Sequence, residues 1–476
     1  MIKPAFSLPL YLLTAGLVAG CTLAPRYERP AAPVAANYPA ARADATGTAR
    51  RAGELGWREF FTDARLQVLI ATALDNNRDL RMAALRIEEA RALYNIQSAD
   101  LLPNLNGLAS GSRSRVSAAL SPGGASTVNR SYQVGLSLAS FELDFFGRVR
   151  SLNDAALAQY LATTEARQAA HISLVAEVAK TYLAERAFDE QYALTKKTLE
   201  GREEAYRLSK QRFEVGASSA LDLRLNETLV GSARVALATL ARQRAQAGNA
   251  LALLTGTPLR DLPPVQPLAS QDIVTELSAG LPSDLLTQRP DIRAAEQRLL
   301  AANASIGAAR AAFFPRISLT AGLGTASNTL SGLFDAGSRT WSFTPQLVLP
   351  IFDAGRNSGN LDLTHVRKNI AVADYEKSIQ AAFREVADAL AARATLNEQL
   401  EAQQSVTTAQ AERLKLADLR FKNGVANSLE VLDAQRELFS AEQALVQTRL
   451  LRLTNAIDLY RALGGGLQQN AATAAK

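Results

Sequence analysis

The chain contains 476 residues, of which 47% are hydrophobic and 21% charged, and its 52 basic and 46 acidic side chains give a formal net charge of +6. These charges are distributed without long runs, which indicates a mixed solvated surface. A nucleic-acid-binding surface needs clustered Lys and Arg with aromatic residues between them, so this class of function is not favoured.

The first residues carry the pattern of a secretory signal. Lys3 precedes an apolar segment, Ala5 to Val18, that is too short to span a bilayer as a helix. Small residues then lead to Cys21, the only cysteine, so no disulfide can form within the chain. A cysteine at this place resembles the bacterial lipobox, which implies removal of residues 1–20, lipid attachment at Cys21 and, with Thr22 next, sorting to the outer membrane. Ordinary cleavage that leaves a free thiol is the alternative.

Residues 21–54 are predicted to form a lipid-anchored extended segment. Four prolines, Pro25, Pro30, Pro33 and Pro39, lie in it among Ala, Tyr and Arg, and no apolar period is present. We expect this segment to carry no chemistry of its own.

The remainder of the chain is an internal duplication. Five residues recur 208 positions later, in the pairs Leu208/Leu416, Arg212/Arg420, Phe213/Phe421, Gly216/Gly424 and Leu221/Leu429. Two earlier pairs, Asp79/Asp291 and Pro103/Pro315, are separated by 212 positions. Such a period is too long for a solenoid and suits two fused copies of a multi-element unit. We therefore predict a first repeat at 55–270, a second at 271–465 and a C-terminal tail at 466–476.

Each copy is predicted to contain one long helical hairpin. Proline is absent from 123–257 and from 351–476, and good helix formers dominate Arg150 to Glu214 and Asn357 to Lys422. A helix of about 65 residues is roughly 100 Å long, far more than a globular core needs. Short turns, Val215 to Ser219 and Asn423 to Asn427, lead to second helices that run to about Leu254 and Leu463. Gly216 and Gly424 suit the left-handed ends of the first helices, and Ser219 and Ser428 suit the starts of the second.

Each copy also contains a shorter helix followed by two strands. The helices are predicted at Asp63 to Asp100 and Pro282 to Ala312. Apolar and polar residues then alternate along four segments, most clearly at 316–323, 341–347 and 132–138 and more weakly at 104–116. Gly- and Ser-rich loops at Ser117 to Val128 and Thr325 to Arg339 separate the paired strands.

The strand count has a physical consequence. The strands have about the length that crosses a bilayer when tilted. A sheet in lipid must close because unpaired edge amides cost several kcal/mol each, and closed membrane barrels need about eight strands or more. Two chains would give eight strands and three would give twelve. A small soluble sheet packed on the helices is the alternative interpretation.

Several motifs together resemble those of a known family. They are the lipobox at Cys21, the Leu-Leu-Pro-Asn-Leu at 101–105 with its counterpart Phe-Phe-Pro-Arg-Ile at 313–317, the Arg289-Pro290-Asp291 motif and the Arg-Phe-x-x-Gly turns. The chain resembles the TolC/OprM-like outer-membrane efflux factors, in their lipoprotein (NodT-like) branch. The resemblance implies a mainly α fold with a membrane β-barrel: a homotrimer whose twelve-stranded β-barrel is continued by a periplasmic α-helical barrel.

The same resemblance implies a function and two sets of site residues. The expected function is the exit duct of a tripartite pump that exports drugs, toxic compounds or metal ions, in contact with a periplasmic adaptor and an inner-membrane transporter of the RND type. The adaptor-docking tips would be Arg212, Phe213, Gly216 and Leu221 in the first copy and Arg420, Phe421, Gly424 and Leu429 in the second. These residues also suit simple turn formation and hairpin packing.

A periplasmic gate is predicted one turn from the second tip. Asp418 follows Leu414 by four residues and so shares its helix face. In a trimer, three copies would form a ring of carboxylates beside a ring of leucines, which attracts cations and repels itself. The equivalent position in the first copy is Lys210, so only one copy would carry this charge. A solvated surface carboxylate is the other interpretation.

Catalysis and cofactor binding are not predicted. The sequence contains no phosphate-binding GxxxxGK[ST] loop and no nucleophile-elbow motif. The two histidines, His171 and His365, lie in the long helices without a nearby second ligand, which does not favour a metal site. The open alternatives to an efflux duct are a protein-secretion duct of the type I class, a coiled-coil scaffold lipoprotein and a lipid-anchored enzyme.

Overall fold

The computed structural model describes residues 22–38, 50–120, 123–259, 261–271, 273, 277–278, 280 and 282–469. The predicted signal at 1–20 and the predicted lipidation site Cys21 lie outside the described residues. The described residues divide into two compact units. The strand unit contains those of Met1–Ala31, Arg86–Thr164 and Ala294–Tyr375, and the helical unit contains those of Ala32–Leu85, Glu165–Arg293 and Glu376–Lys476.

The strand β1, Arg50–Arg51, precedes the first copy. The first copy supplies the following elements in chain order: α1 Trp57–Phe60, α2 Ala64–Asn76, α3 Arg78–Ala99, β2 Leu105–Val116, β3 Thr127–Leu143, α4 Arg148–Glu214 and α5 Ala220–Thr255. The second copy supplies β4 Leu277–Ser278, α6 Leu285–Gln288, α7 Pro290–Ala311, β5 Arg316–Ser327, β6 Arg339–Val348, α8 Arg356–Lys422 and α9 Ser428–Ala462. The two long hairpins, α4 with α5 and α8 with α9, and the four predicted long strands are confirmed. No helix in the described ranges is both long enough and apolar enough to cross a bilayer.

Both shorter helices are interrupted, and the prediction of continuous helices there was wrong. Asn77 has extended dihedral angles between α2 and α3, and its side chain accepts the Leu80 amide at 2.9 Å while donating to the Leu254 carbonyl at 2.9 Å. In the second copy, Arg289 is extended between α6 and α7 because it precedes Pro290. An asparagine cap and a proline therefore replace helical backbone at equivalent places in the two copies.

A four-stranded antiparallel sheet dominates the strand unit, in the order β2-β3-β5-β6. β2 and β3 come from the first copy and β5 and β6 from the second, so β3 and β5 join the two copies. The register shifts between Leu138 and Phe141, and Ser140 there has a φ of 51°. This bulge keeps Leu138 and Phe141 on one face although three positions separate them in sequence.

The extended segment packs on α7 within the strand unit. Arg29 and Tyr27 bind Glu296, the Asn303 side chain donates to the Pro25 carbonyl at 2.7 Å, and the Arg310 side chain donates to the Leu23 carbonyl at 3.3 Å. Residue numbers rise along the segment as they fall along the helix, so the two run antiparallel. Residues 22–38 form neither helix nor strand, and Ala52–Glu54, within the predicted extended segment, form a 3₁₀ turn.

The helical unit has an aromatic core. Phe60 stacks on Tyr460 with 3.9 Å between ring centroids, and Trp57, Phe61 and Tyr182 are also fully buried. The carboxylate of Asp63 begins α2 by accepting the Arg65 amide at 2.7 Å, and it also accepts the Tyr182 hydroxyl and the Gln271 amide. These bonds compensate the burial of a charged group.

Candidate functional site at the hairpin tips

The tip of the first hairpin is a compact, fully capped turn. Gly216 has a φ of 75°, and the Ala217 amide donates to the Arg212 carbonyl at 2.7 Å, which closes the end of α4. Ser219 caps α5: its hydroxyl accepts the Asp222 amide at 3.1 Å while Asp222 accepts from Ser219 in return. The predicted roles of Gly216 and Ser219 in the turn are confirmed.

The tip of the second hairpin repeats this geometry with one difference. Gly424 has a φ of 71°, and the Val425 amide donates to the Arg420 carbonyl at 2.9 Å. The cap of α9 is Asn427, whose side chain accepts the Glu430 amide at 3.1 Å. The helix begins at Ser428, which agrees with the prediction that Ser428 suits its start, but the capping side chain is that of Asn427, one position earlier.

Ser428 instead connects the two tips. Its hydroxyl donates to Asp222 Oδ1 at 2.7 Å, so one carboxylate serves the cap of α5 and the start of α9. Hydrogen bonds from Ser219 and then from Ser428 lower the pKa of Asp222 below its usual value. The guanidinium of Arg212 also lies 5.6 Å from the centroid of the Phe421 ring, a cation–π distance. The predicted tip residues of the two copies are therefore brought into direct contact.

The tips expose apolar side chains. Leu221 is 70% exposed, Val425 69% and Leu429 54%, although polar residues could have occupied these positions at no packing cost. Beside the second tip, a shallow groove of about 690 Å³ is lined by the apolar residues Leu416, Leu419 and Val425 and by charged residues that include Arg413 and Glu430. Contiguous exposed apolar surface with a polar rim is typical of protein docking sites.

The two predicted gate residues have different surroundings. Leu414 packs against a small apolar cluster within the second hairpin, formed by Ala417, Val431 and Ala434 with Phe421 beside it. Asp418, one turn away, forms an ion pair with Lys422 at 2.5 Å, and its side chain remains 41% exposed. Lys422 was not predicted as a partner of Asp418, although its spacing of four residues is a helical ion-pair signal.

Titratable clusters outside the tips do not suggest metal binding. Among the described residues, no group of three or more His, Cys, Asp or Glu side chains converges as metal ligands would. His171 is half-buried in the helical unit, where loss of solvation and the nearby Arg167 lower its pKa.

Comparison with known proteins decides the family. The model of the outer membrane efflux protein family matches residues 69–257 and again 281–465. The chain belongs to the outer membrane efflux protein family. The outer membrane protein OprJ of Pseudomonas aeruginosa is 51% identical over 467 residues, covering 98% of this chain and 97% of OprJ. The toluene efflux pump outer membrane protein TtgF of Pseudomonas putida is 51% identical over 456 residues, covering 94% and 95% of the two chains.

A solved structure supports the same assignment of this efflux protein. The open state of the MtrE outer membrane channel of Neisseria gonorrhoeae superimposes with a TM-score of 0.86 at 45% identity, covering 95% of this chain and 100% of MtrE. The resemblance inferred from the lipobox, the repeated motifs and the tips is thus confirmed at the level of family and fold class. This efflux protein is a mainly α protein with one amphipathic four-stranded sheet, and its family places it in the outer membrane as a channel component.

Proposed function

We propose that the chain is one subunit of a homotrimeric outer-membrane duct through which a tripartite efflux pump exports small molecules. The observation that carries this proposal is the division of the sheet into an apolar and a polar face. Strand register assigns each side chain to a face, because successive residues of a strand point to opposite sides. The proposal follows from this division, from the two unpaired edges of the sheet and from family membership.

The apolar face is continuous across all four strands. Residues in register on this face are Leu105, Tyr132, Val134, Leu136, Leu138, Leu319, Leu323, Trp341, Phe343 and Leu347. Trp341 is 78% and Phe343 60% exposed in the single chain. The opposite face carries Ser110, Ser112, Gln133, Ser137, Ser318, Thr320, Thr344 and Gln346. An apolar outer face with a polar inner face is the pattern of a membrane barrel that encloses water.

The bulge at Ser140 preserves this division. Without the register shift, Glu142 would fall on the apolar face and Phe141 on the polar one. With it, Glu142 shares the polar face and binds Arg148 at 2.7 Å. An extra residue with left-handed dihedral angles therefore keeps a carboxylate out of the lipid-facing surface.

The edges of the sheet set the number of subunits. β2 and β6 each pair on one side only among the described strands. Edge amides cannot remain unpaired in hydrocarbon, so β6 of one chain must pair with β2 of another. Two chains would give an eight-stranded barrel with an interior just filled by side chains, and three give twelve strands and room for a duct.

The remaining assignments follow from this architecture. We propose that residues 1–20 are a signal peptide, that Cys21 carries lipid, and that 55–270 and 271–465 are the two repeats between an extended segment and a short tail. The exposed tips would dock a periplasmic adaptor that connects the duct to an inner-membrane transporter. The relatives named as toluene or antibiotic efflux components support small-molecule cargo for those proteins. No part of this function requires a catalytic group or a cofactor in this chain.

The test is electrical conductance of the purified full-length protein in a planar lipid bilayer. We expect discrete, uniform current steps from a detergent-solubilised trimer. A protein that remains monomeric and produces no steps would contradict the duct and support a scaffold lipoprotein. A duct for protein secretion is distinguished by cells that lack this chain: they would lose a secreted polypeptide rather than gain sensitivity to toluene or antibiotics.

The gate prediction concerns Leu414 and Asp418. The double variant Leu414→Ala/Asp418→Ala should increase single-channel conductance severalfold, because in the proposed gate these side chains form the leucine and carboxylate rings that narrow the inner end of the helical barrel. The pair with Lys422 reduces the net charge of each carboxylate site, so we expect Lys422→Ala alone to increase cation selectivity.

The matched control is Asp388→Ala. Asp388 lies on the same helix, is 75% exposed and also forms an i,i+4 ion pair, with Arg384 at 3.9 Å. It should leave conductance unchanged. Equal conductance of the double variant, the control and the unsubstituted trimer would refute the gate assignment without affecting the duct.

A further inference from the structure

Three arginines lie together on the lipid-facing side of the first β-hairpin. Arg113 and Arg130 are direct cross-strand partners in β2 and β3, and Arg115 is two residues further along β2, opposite Val128. Arg113 and Arg115 lie an even number of residues after Leu105 in the same strand, and Arg130 is the register partner of Arg113. All three arginines therefore share the face of Leu105. All three side chains are exposed. We name Arg113, Arg115 and Arg130 the arginine cluster.

The arginine cluster lies at the end of the apolar face that is remote from the helices. Arg113 follows Leu105 by eight residues, as Arg130 precedes Leu138 by eight. At about 3.4 Å per residue this is roughly 27 Å along the strand, or about 20 Å along the membrane normal for a strand tilted by about 40°. The apolar band of a membrane barrel is about 25 Å tall. The apolar face starts below Leu105, at Leu143 and its partner Ile317, which adds roughly 10 Å to this distance. The cluster therefore lies beyond the apolar band, at the level of the headgroups of the outer leaflet.

An aromatic residue lies directly beneath the cluster. The Tyr132 ring covers Gly111 across the strand pair, since a Cβ on Gly111 would lie 3.3 Å from Tyr132 Cδ1. Gly111 and Tyr132 are the register pair that precedes Arg113 and Arg130 on this face. Tyrosine at the boundary between acyl chains and headgroups is typical of membrane barrels, and the arginines come next toward the outside.

No acidic residue of the hairpin compensates these charges. The sequence contains no Asp or Glu between Asp100 and Glu142. Within the described part of the hairpin, Arg115 donates a hydrogen bond to the Ser126 hydroxyl at 3.2 Å. Like charges directly opposite each other destabilise a strand pair. The hairpin between β5 and β6 differs, because Asp335 balances Arg339 in net charge.

We propose that the arginine cluster binds a phosphate group of an anionic lipid in the outer leaflet, with the lipid's acyl chains lying on the apolar face below. This inference rests on the proposed function only in requiring that the sheet cross the membrane. Guanidinium groups form bidentate, charge-assisted bonds with phosphate oxygens, and two or three of them around one phosphate remove the repulsion between Arg113 and Arg130. The ligand is assigned as an amphiphile because its acyl chains can cover the apolar face next to the cluster, whereas a free anion has no apolar part to do so.

The experiment measures binding of a fluorescent lipid A with two phosphate groups to the full-length trimer in dodecylmaltoside. The test variant is Arg113→Gln/Arg115→Gln/Arg130→Gln. A basic residue near an anionic membrane surface contributes about fivefold to affinity, so the triple variant should bind roughly a hundredfold more weakly. The matched control, Arg91→Gln/Arg242→Gln/Arg298→Gln, removes three exposed helical arginines and should bind as the unsubstituted protein does.

Two competing ligands and a conductance recording complete the experiment. Dephosphorylated lipid A and inorganic phosphate should each fail to displace the probe at concentrations where lipid A does. Equal affinity of the triple variant and the control overturns the proposal, and so does full displacement by inorganic phosphate, which would indicate a soluble-anion site. Conductance is recorded on the same samples: a conducting triple variant confirms its fold, whereas a silent unsubstituted trimer would refute the duct and not the lipid site.

Discussion

Substitution of Arg289 by alanine should lower the stability of the helical unit by about 3–5 kcal/mol, the range measured when one partner of a buried ion pair is removed. Arg289 is buried and forms four hydrogen bonds. It binds both carboxylate oxygens of Asp291 at 3.0 and 2.6 Å, Glu385 at 2.9 Å and the carbonyl of Ala462 at 2.9 Å. It therefore joins the start of α7 to α8 and to the end of α9.

The charge of Arg289 is fixed by its partners. Burial by itself lowers the pKa of this guanidinium, but the hydrogen bonds and charges of Asp291 and Glu385 outweigh burial and raise the pKa overall. The group stays protonated at every pH at which the protein folds. Among the described residues, alanine would leave Glu385 paired with Arg461 at 3.6 Å, and it would remove the donor that Arg289 supplies to the Ala462 carbonyl in the last turn of α9.

The measurement is tryptophan fluorescence during thermal unfolding in a Trp341→Phe background. The remaining tryptophan, Trp57, is 1% exposed in the helical unit and reports its unfolding. Arg289→Lys keeps the charge without the planar fork and should recover only part of the loss. Arg298→Ala, on the exposed side of α7, should change stability by no more than about 0.5 kcal/mol. An Arg289→Ala protein that unfolds at the unsubstituted temperature would disprove this role.

The long helices could be predicted from sequence almost to the residue because their limits are local. Gly216 and Gly424 end these helices by adopting left-handed conformations, and the absence of proline permits continuous helix before these positions. The interruptions at Asn77 and Arg289 were missed for different reasons. Asn77 is stabilised by Leu254, which is distant in sequence, so no local pattern reveals the break. The break at Arg289 has a local signal, since the following Pro290 disfavours helical backbone at Arg289.

The two faces of the sheet could also be predicted from sequence, but the bulge in β3 could not. Alternation assigns Leu136 and Gln133 to opposite faces without any structure. The bulge at Ser140 has no glycine or proline to mark it, and it becomes necessary only when β3 pairs with β5 across the repeat boundary. At the tips, the predicted residues were brought together, but the bond between Asp222 and Ser428 connects positions 206 apart and depends on the packing of the two hairpins.

The second large effect is expected at Gly324, where β5 meets β3. Gly324 and Gly135 are register partners, and the two backbones approach closely enough that a Cβ on Gly324 would lie 2.3 Å from the Val134 carbonyl oxygen. A Cβ on Gly135 would lie 2.5 Å from the Leu323 carbonyl oxygen. No side chain can be accommodated there without moving a strand, which is the usual reason for glycine inside a strand.

Gly324→Val should therefore prevent stable pairing of β3 with β5 and abolish most of the trimer. Because this pairing joins the hairpins of the two copies, its loss would open an additional edge in every chain, and unpaired edge amides in hydrocarbon cost several kcal/mol each. The readouts are the fraction of trimer on an unheated denaturing gel and the conductance of the membrane extract. We expect the trimer fraction to fall at least severalfold.

Gly107→Val is the matched control for this effect. Gly107 lies in β2 of the same sheet, where a Cβ meets no atom within 4 Å, and valine favours strands. Its trimer fraction should equal that of the unsubstituted protein, which separates the close backbone approach from a general cost of valine in the sheet. If Gly324→Val assembles as well as Gly107→Val, the contact between β3 and β5 is not a requirement of the closed barrel, and the two repeats must be held together by their helices alone.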